Sequence, residues 1–102
     1  MSTRYIVCAR YQRTAELVGR RWSAAIIRVA VSGPARFSDI REAVPGLSAR
    51  LLTQRLRELE AAGIVERREL SSSRVAYALT SKGRALSEVL LELENWAEDW
   101  VE

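Results

Sequence analysis

Apolar residues recur at helical spacing through the first third of the chain. Tyr11, Ala15 and Val18 share one face and Gly19 follows them, which predicts a first helix over about 10–19. Trp22, Ile26, Val29 and Ala30 carry the same period on to Gly33-Pro34 and predict a second, very apolar helix. Arg36-Phe37 reads as a short extended bridge. Ser38 is placed to cap a short third helix with Ile40, Ala43 and Val44 facing inward, and Pro45-Gly46 ends it. Ser48 is a good N-cap for a fourth helix over about 48–61, Leu47 can staple onto Leu52, and Gly63 marks the stop. The period then falls to two. Ile64 to Leu70 reads as a strand, Ser71-Ser72-Ser73 as a turn, and Val75, Tyr77 and Leu79 as one face of a return strand, giving a hairpin over about 64–79. Thr80 or Ser81 opens a last helix, over about 81–101. Its apolar stripe is Leu86, Val89, Leu90, Leu93, Trp96, Ala97 and Trp100, opposite Glu88, Glu92, Asn95, Asp99 and Glu102.

A short helix, a Pro-Gly turn, a longer helix and a hairpin form the winged helix-turn-helix pattern. The expected fold is mainly α with a small β-hairpin, and 102 residues leave room for one domain, 1–102. Along the fourth helix, 100° per residue places Leu52, Leu56 and Leu59 on one side and Arg50, Thr53, Gln54 and Arg57 on the other. The second set has hydrogen-bonding side chains and no acid near the helix start. A helix entering a major groove N-terminus first needs this layout: Arg pairs with guanine, Gln with adenine, and Thr meets a phosphate or a methyl group. The alternative is a solvated polar face. Arg74 at the hairpin tip is placed for a minor-groove or phosphate contact, or is an exposed charge.

Charge distribution sharpens this. Residues 1–57 hold eleven Arg against three acids, and residues 85–102 hold six acids and no base, within a net charge of +3. A basic body fits a polyanion, most simply double-stranded DNA, and an acidic end is repelled by it. The chain has no His and one Cys, which removes most zinc sites and the usual general base, so an enzyme is not expected and no cofactor is called for. No apolar run approaches a membrane span, and residues 1–13 lack the apolar stretch of a secretory signal; the expectation is a cytoplasmic protein with no membrane partner.

The last helix carries more apolar surface than a core of this size is expected to absorb. Leu86, Val89, Leu90, Leu93, Trp96 and Trp100 are therefore expected at a homodimer interface with the partner's first helix, the alternative being a helix folded back on its own core.

These motifs, in this order, resemble the HxlR-type family of bacterial winged helix-turn-helix regulators. The stretches that carry the resemblance are Leu17-Val-Gly-Arg-Arg-Trp22, Gly33-Pro-Ala-Arg-Phe-Ser-Asp-Ile40, Pro45-Gly-Leu-Ser-Ala-Arg-Leu-Leu52, Arg55-Leu-Arg-Glu-Leu-Glu60, Gly63-Ile-Val-Glu-Arg67 and Tyr77-Ala-Leu-Thr-Ser-Lys-Gly83, followed by the Trp-bearing end. The resemblance spans about residues 8–100. It implies a homodimer on a palindromic operator, usually a repressor and sometimes an activator, with the recognition helix at 48–61. Several members that sense quinones, aldehydes or oxidants carry an N-terminal Cys-Pro. Here Cys8 stands fourteen residues before Trp22, with Ala9 in place of Pro, and the loop before the return strand is short and lacks Pro.

Cys8 lies near the start of the first helix, close in sequence to Arg10 and Arg13, and both features favour a thiolate; the alternative is a small inert cysteine beside Ile6 and Val7. The expected function is a sequence-specific DNA-binding regulator. Arg50, Thr53, Gln54 and Arg57 face bases, Arg36, Ser38 and Ser48 hold the backbone, and Arg74 extends the footprint. Control falls to an oxidant or electrophile at Cys8, or to a small-molecule inducer at the apolar interface near Trp22, Trp96 and Trp100. A winged helix used only for protein contacts is the competing class.

Overall fold

A computed structural model describes residues 6–71 and 73–102; Ser72 of the expected Ser71–Ser73 turn lies outside the described residues. The elements run α1 (Ala9–Gly19), α2 (Ser23–Ala30), β1 (Ala35–Arg36), α3 (Phe37–Ala43), α4 (Ala49–Ala61), β2 (Val65–Ser71), β3 (Arg74–Leu79) and α5 (Ser81–Trp100). The apolar periods produce one core. Ile26 and Ile27 of α2, Ile40 of α3, Leu52, Leu56 and Leu59 of α4, and Ile64, Val65 and Leu79 of the sheet are all buried in it. Each such side chain contributes roughly 1.5–3 kcal/mol by leaving water.

Three local expectations are corrected. The second helix begins after Trp22 and ends at Ala30, short of Gly33. Trp22 instead adopts a left-handed conformation, φ 79°, which turns the chain between α1 and α2. The strain, about 1–2 kcal/mol for a residue with a Cβ, is offset by packing. The indole ring packs beside Gly46, at ordinary contact distance (3.4 Å) from where a β-carbon there would stand, and the Arg21 guanidinium lies 4.7 Å from the ring centroid. The third helix is capped by Arg36, whose N–H donates to Asp39 Oδ2 at 3.2 Å, and Ser38 lies inside the helix, exposed. Ala43 is exposed too; Ile40 and Val44 are the inward pair, since the helix ends at residue 43 and Val44 turns away from the helical path.

The hairpin is part of a three-stranded antiparallel sheet in the order β1-β3-β2. Ala35 and Arg36 pair with Tyr77 and Ala76, a two-residue strand too short for a period to reveal. Tyr77 and Leu79 face the core as expected, and Val75 is half-buried. Ala76 and Ala78, on the other face, are also buried. Their cross-strand neighbours Arg68 and Glu66 form an ion pair at 3.1 Å, and such small side chains are readily covered by longer ones beside them.

Helix α5 divides its stripe. Leu86 and Leu90 pack on the chain's own core, whereas Val89, Leu93, Trp96 and Trp100 are more than half exposed. Helix α1 has no buried residue. The two terminal helices thus leave apolar surface in water that the core does not use.

Candidate nucleic-acid interface

Helix α4 is fixed at both ends. At its start, the Ser48 hydroxyl accepts the Leu51 N–H at 3.1 Å, satisfying one of the free amides of the first turn. At its end, the backbone passes through Ala62, Gly63 and Ile64, and the opening turn of α5 collects their carbonyls. Lys82 Nζ donates to Ala62 O at 2.7 Å, the Thr80 hydroxyl donates to Gly63 O, and the Thr80 N–H donates to Ile64 O at 3.1 Å. The Thr80 oxygen in turn accepts the Gly83 N–H at 3.0 Å, capping α5. Carbonyls left free at a helix C-terminus are met by an ammonium and a hydroxyl, and the cation also suits the negative end of the dipole.

The side of α4 is tied to the α1–α2 junction. Arg55 Nε donates to Arg21 O at 2.9 Å, and Glu58 receives Arg55 at 3.3 Å and Arg20 at 3.3 Å. Sequence reasoning gave Arg55, Arg20 and Arg41 no role in holding α4, and read Thr80 only as one of two residues that open α5. A signal for Arg55 was present: it falls three residues from Leu52 and three from Glu58, a spacing that places it at the margin of the core stripe with a carboxylate in reach.

On the outward face, Arg50, Gln54 and Arg57 are exposed and Thr53 is half-buried. Together with Glu58 they border a shallow depression of about 500 Å³. Thr53 is already engaged, its hydroxyl donating to Ala49 O at 2.9 Å, so it offers a methyl group and an acceptor rather than a free donor. The one acid on this border, Glu58, is held by Arg20 and Arg55. Arg50 and Arg57 form no ion pair among the described residues.

Arg36 and Ser38 lie close together across the β1–α3 junction, both exposed, and Arg41 of α3 reaches Leu47 O at 3.3 Å in the turn before α4. Arg74 begins β3 opposite Ser71, beside a register shift between Glu69 and Ser71, and is exposed. The arrangement presents a cationic, donor-rich helix face, with further Arg at the start of α3 and at the wing. It has the chemistry to meet base edges and phosphates.

Cys8 is exposed at the N-cap of α1, not buried beside Ile6 and Val7. The Tyr11 N–H and then the Arg10 N–H hold its thiol below the ordinary cysteine value; desolvation acts the other way, and the Arg10 side chain adds the smallest lowering. No group of three or more His, Cys, Asp or Glu side chains with metal-binding geometry occurs among the described residues, and no helix there is long and apolar enough to cross a membrane.

A model of HxlR-like helix-turn-helix domains matches residues 17–102. The chain is 39% identical over 98 residues to the uncharacterized HTH-type transcriptional regulator YvaP of Bacillus subtilis, covering 94% of this chain and 91% of the relative. It is 41% identical over 98 residues to the HTH-type transcriptional regulator YodB of the same organism, covering 94% and 88%. Structures of YodB superpose in the reduced form with a TM-score of 0.82 (95% of this chain, 97% of that one), in a diamide-treated form with 0.79 (96% and 99%) and in a quinone-bound form with 0.80 (92% and 100%). The redox regulator HypR in its reduced form superposes with a TM-score of 0.82 at 33% identity, covering 89% and 92%.

Proposed function

Because the chain belongs to the HxlR-like helix-turn-helix family and is a DNA-binding transcriptional regulator of winged-helix fold, we propose that it acts as a homodimer, reading a palindromic operator through α4, and that Cys8 adjusts its hold on that operator. The observation that carries the DNA reading is the outward face of α4, where Arg50, Gln54 and Arg57 stand free while Glu58 is neutralised. Arg50 and Arg57 read or approach base edges, Gln54 suits adenine, and Thr53 gives a methyl contact. Ser48, Ser38, Arg36 and Arg74 hold the phosphate backbone, and their contribution is salt-sensitive. Its relatives are transcriptional regulators, and an enzymatic role is not proposed. The site of action is the cytoplasm, with repression as the default sign.

Dimerisation uses the surface that the core leaves uncovered. Val89, Leu93, Trp96 and Trp100 of α5 would pack with α1 of the partner, carrying the acidic side of α5 away from the duplex. Leu86 and Leu90 support the helix from the inside.

Thiol control follows from an exposed thiol whose ionised form is favoured. YodB has been captured after diamide treatment and with a quinone bound, and HypR is a redox regulator. In this chain, with one cysteine, the Cys8 thiolate adds to an electrophilic quinone carbon, or forms a disulfide with Cys8 of the partner subunit or with a small thiol while diamide takes up the two electrons.

The test is fluorescence anisotropy of the reduced protein on DNA from upstream of its own coding region, against unrelated DNA at the same salt, repeated after diamide. The expected result is at least about a hundredfold preference for the upstream DNA, lost or reduced on oxidation in the native protein and retained in Cys8→Ser. Equal binding to both DNAs would count against sequence-specific recognition.

A further inference from the structure

One carboxylate on the border of the α4 depression meets two guanidinium groups. Glu58 follows Arg57 directly and stands four residues after Gln54, so it lies beside the strip that α4 turns outward. Arg55 Nη1 approaches both of its oxygens, at 3.3 and 3.4 Å, and Arg20 Nη1 approaches Oε2 at 3.3 Å. The two arginines differ in setting. The Arg55 side chain is 13% exposed and its Nε is engaged with Arg21 O, which commits it to the inner flank of α4. The Arg20 side chain is 53% exposed and makes no other hydrogen bond or ion pair among the described residues. Arg20 lies just past Gly19, the last residue of α1, and its side chain reaches across to α4.

Arg55 by itself neutralises Glu58, so the positive charge of Arg20 is in excess. One of the five N–H groups of Arg20 is engaged, and the others are left to give. An ion pair between exposed side chains adds little stability, so holding the fold together does not account for Arg20. We propose that Arg20 is a further DNA contact, a phosphate ligand supplied by the α1–α2 corner, with Glu58 holding its guanidinium at the edge of the α4 face. The inference rests on the reading of α4 as the DNA-facing helix. A guanidinium suits a phosphate because its planar fork of N–H groups meets two oxygens at once. The carboxylate beside it restrains a long side chain before DNA arrives, so less freedom is lost on binding. Phosphates are the same at every base pair, so this contact adds affinity and fixes register without reading sequence. Arg20 also widens the basic surface beyond α4 itself, onto a segment thirty-eight residues earlier in the chain than Glu58.

The test is fluorescence anisotropy of the full-length reduced protein on the upstream duplex and on an unrelated duplex, over a series of salt concentrations. Arg20→Ala should weaken binding to both duplexes by a similar factor, about three- to tenfold near about 0.1 M salt, and reduce the slope of log affinity against log salt by about one. Arg20→Lys should keep the slope and most of the affinity, because the charge stays. A second comparison separates a DNA contact from mere neutralisation of Glu58. In a Glu58→Gln background no carboxylate is left to mask, and adding Arg20→Ala should still lower the slope by as much. An Arg20 effect that vanishes in that background would reduce Arg20 to a counter-charge and overturn the proposal. An unchanged salt slope in Arg20→Ala, or a loss confined to the upstream duplex, would overturn it too. Sedimentation velocity of Arg20→Ala should show the native oligomeric state; a change would place Arg20 at a subunit seam instead. The DNA reading is judged on the native protein. Equal affinity for the two duplexes would count against sequence-specific recognition, while the Arg20 effect would still be measured on either one. A native protein that binds neither duplex would overturn both.

Discussion

Gly83 rests against the carbonyl oxygen of Ile64 so closely that a β-carbon at position 83 would overlap it. This contact seats the first turn of α5 on the segment that leaves α4, at the junction where Thr80 and Lys82 make their hydrogen bonds. The glycine is therefore part of how α4 is held.

Gly83→Ala must push α5 away from Ile64 or distort the turn, and backbone gives way less easily than a side chain. The expected loss is on the order of 3 kcal/mol, read from urea denaturation followed by circular dichroism. A midpoint indistinguishable from the native protein would show that the seat is soft.

Ser23 is 1% exposed and its hydroxyl has no hydrogen-bond partner among the described residues. Removing an unsatisfied buried hydroxyl leaves the packing almost intact and abolishes a desolvation cost. Ser23→Ala should raise stability by about 1 kcal/mol. A fall in the thermal midpoint would mean that the hydroxyl has a partner after all.

Arg57→Ala and Arg50→Ala should each cost about 1–3 kcal/mol of operator affinity if the side chain reads a base, with the thermal midpoint unchanged because both are exposed. Arg55→Ala should differ in kind. Arg55 bonds Arg21 O and Glu58, and its side chain is only 13% exposed, so the variant should lose stability as well as affinity. Anisotropy and thermal melts on all three separate the roles, and unaltered operator affinity in both Arg50→Ala and Arg57→Ala would remove α4 as the reading helix.

The Cys8 thiol is held below its ordinary pKa, so more of it is thiolate near neutral pH than in a free cysteine. The rate of iodoacetamide alkylation plotted against pH should have its midpoint below that of a model thiol, and Arg10→Ala should move it upward. By linkage, the ionised thiolate favours the folded N-terminal turn of α1. That contribution is complete above the unfolded thiol pKa and is lost as pH falls through the lower folded one. An alkylation midpoint at or above that of the model thiol would contradict the geometry.

Trp96 and Trp100 are 56% and 73% exposed on one side of α5. Replacing both with Ser should convert the proposed dimer into a monomer in sedimentation velocity while the far-ultraviolet spectrum of the fold persists, since neither side chain belongs to the core. A dimer that survives the double substitution would place the interface elsewhere.

The α4 face is legible in the order of its residues. Its periodicity over thirteen residues separates Leu52, Leu56 and Leu59 from Arg50, Gln54 and Arg57, and Ser48 supplies the capping oxygen at the expected place. The start of α3 is less legible. Ser38 is as good a cap by residue type as Ser48, but Asp39 reaches the Arg36 amide from inside the helix, and that choice between neighbouring caps depends on where β1 lays the backbone. The family resemblance carried by the motifs is met by the match over residues 17–102.

The amino-acid sequence by itself determined the elements with long periods, the cationic face of α4, the apolar excess of α5 and the lone cysteine near the start of α1, because spacing and composition are local properties of the chain. Only the tertiary structure decided that Trp22 turns left-handed against Gly46, that Arg55 and Arg20 share Glu58, that α5 divides its stripe between its own core and solvent, and that Cys8 lies exposed. Each of these depends on segments distant in sequence, whose positions are set when the core closes and its close packing leaves one arrangement for every neighbour.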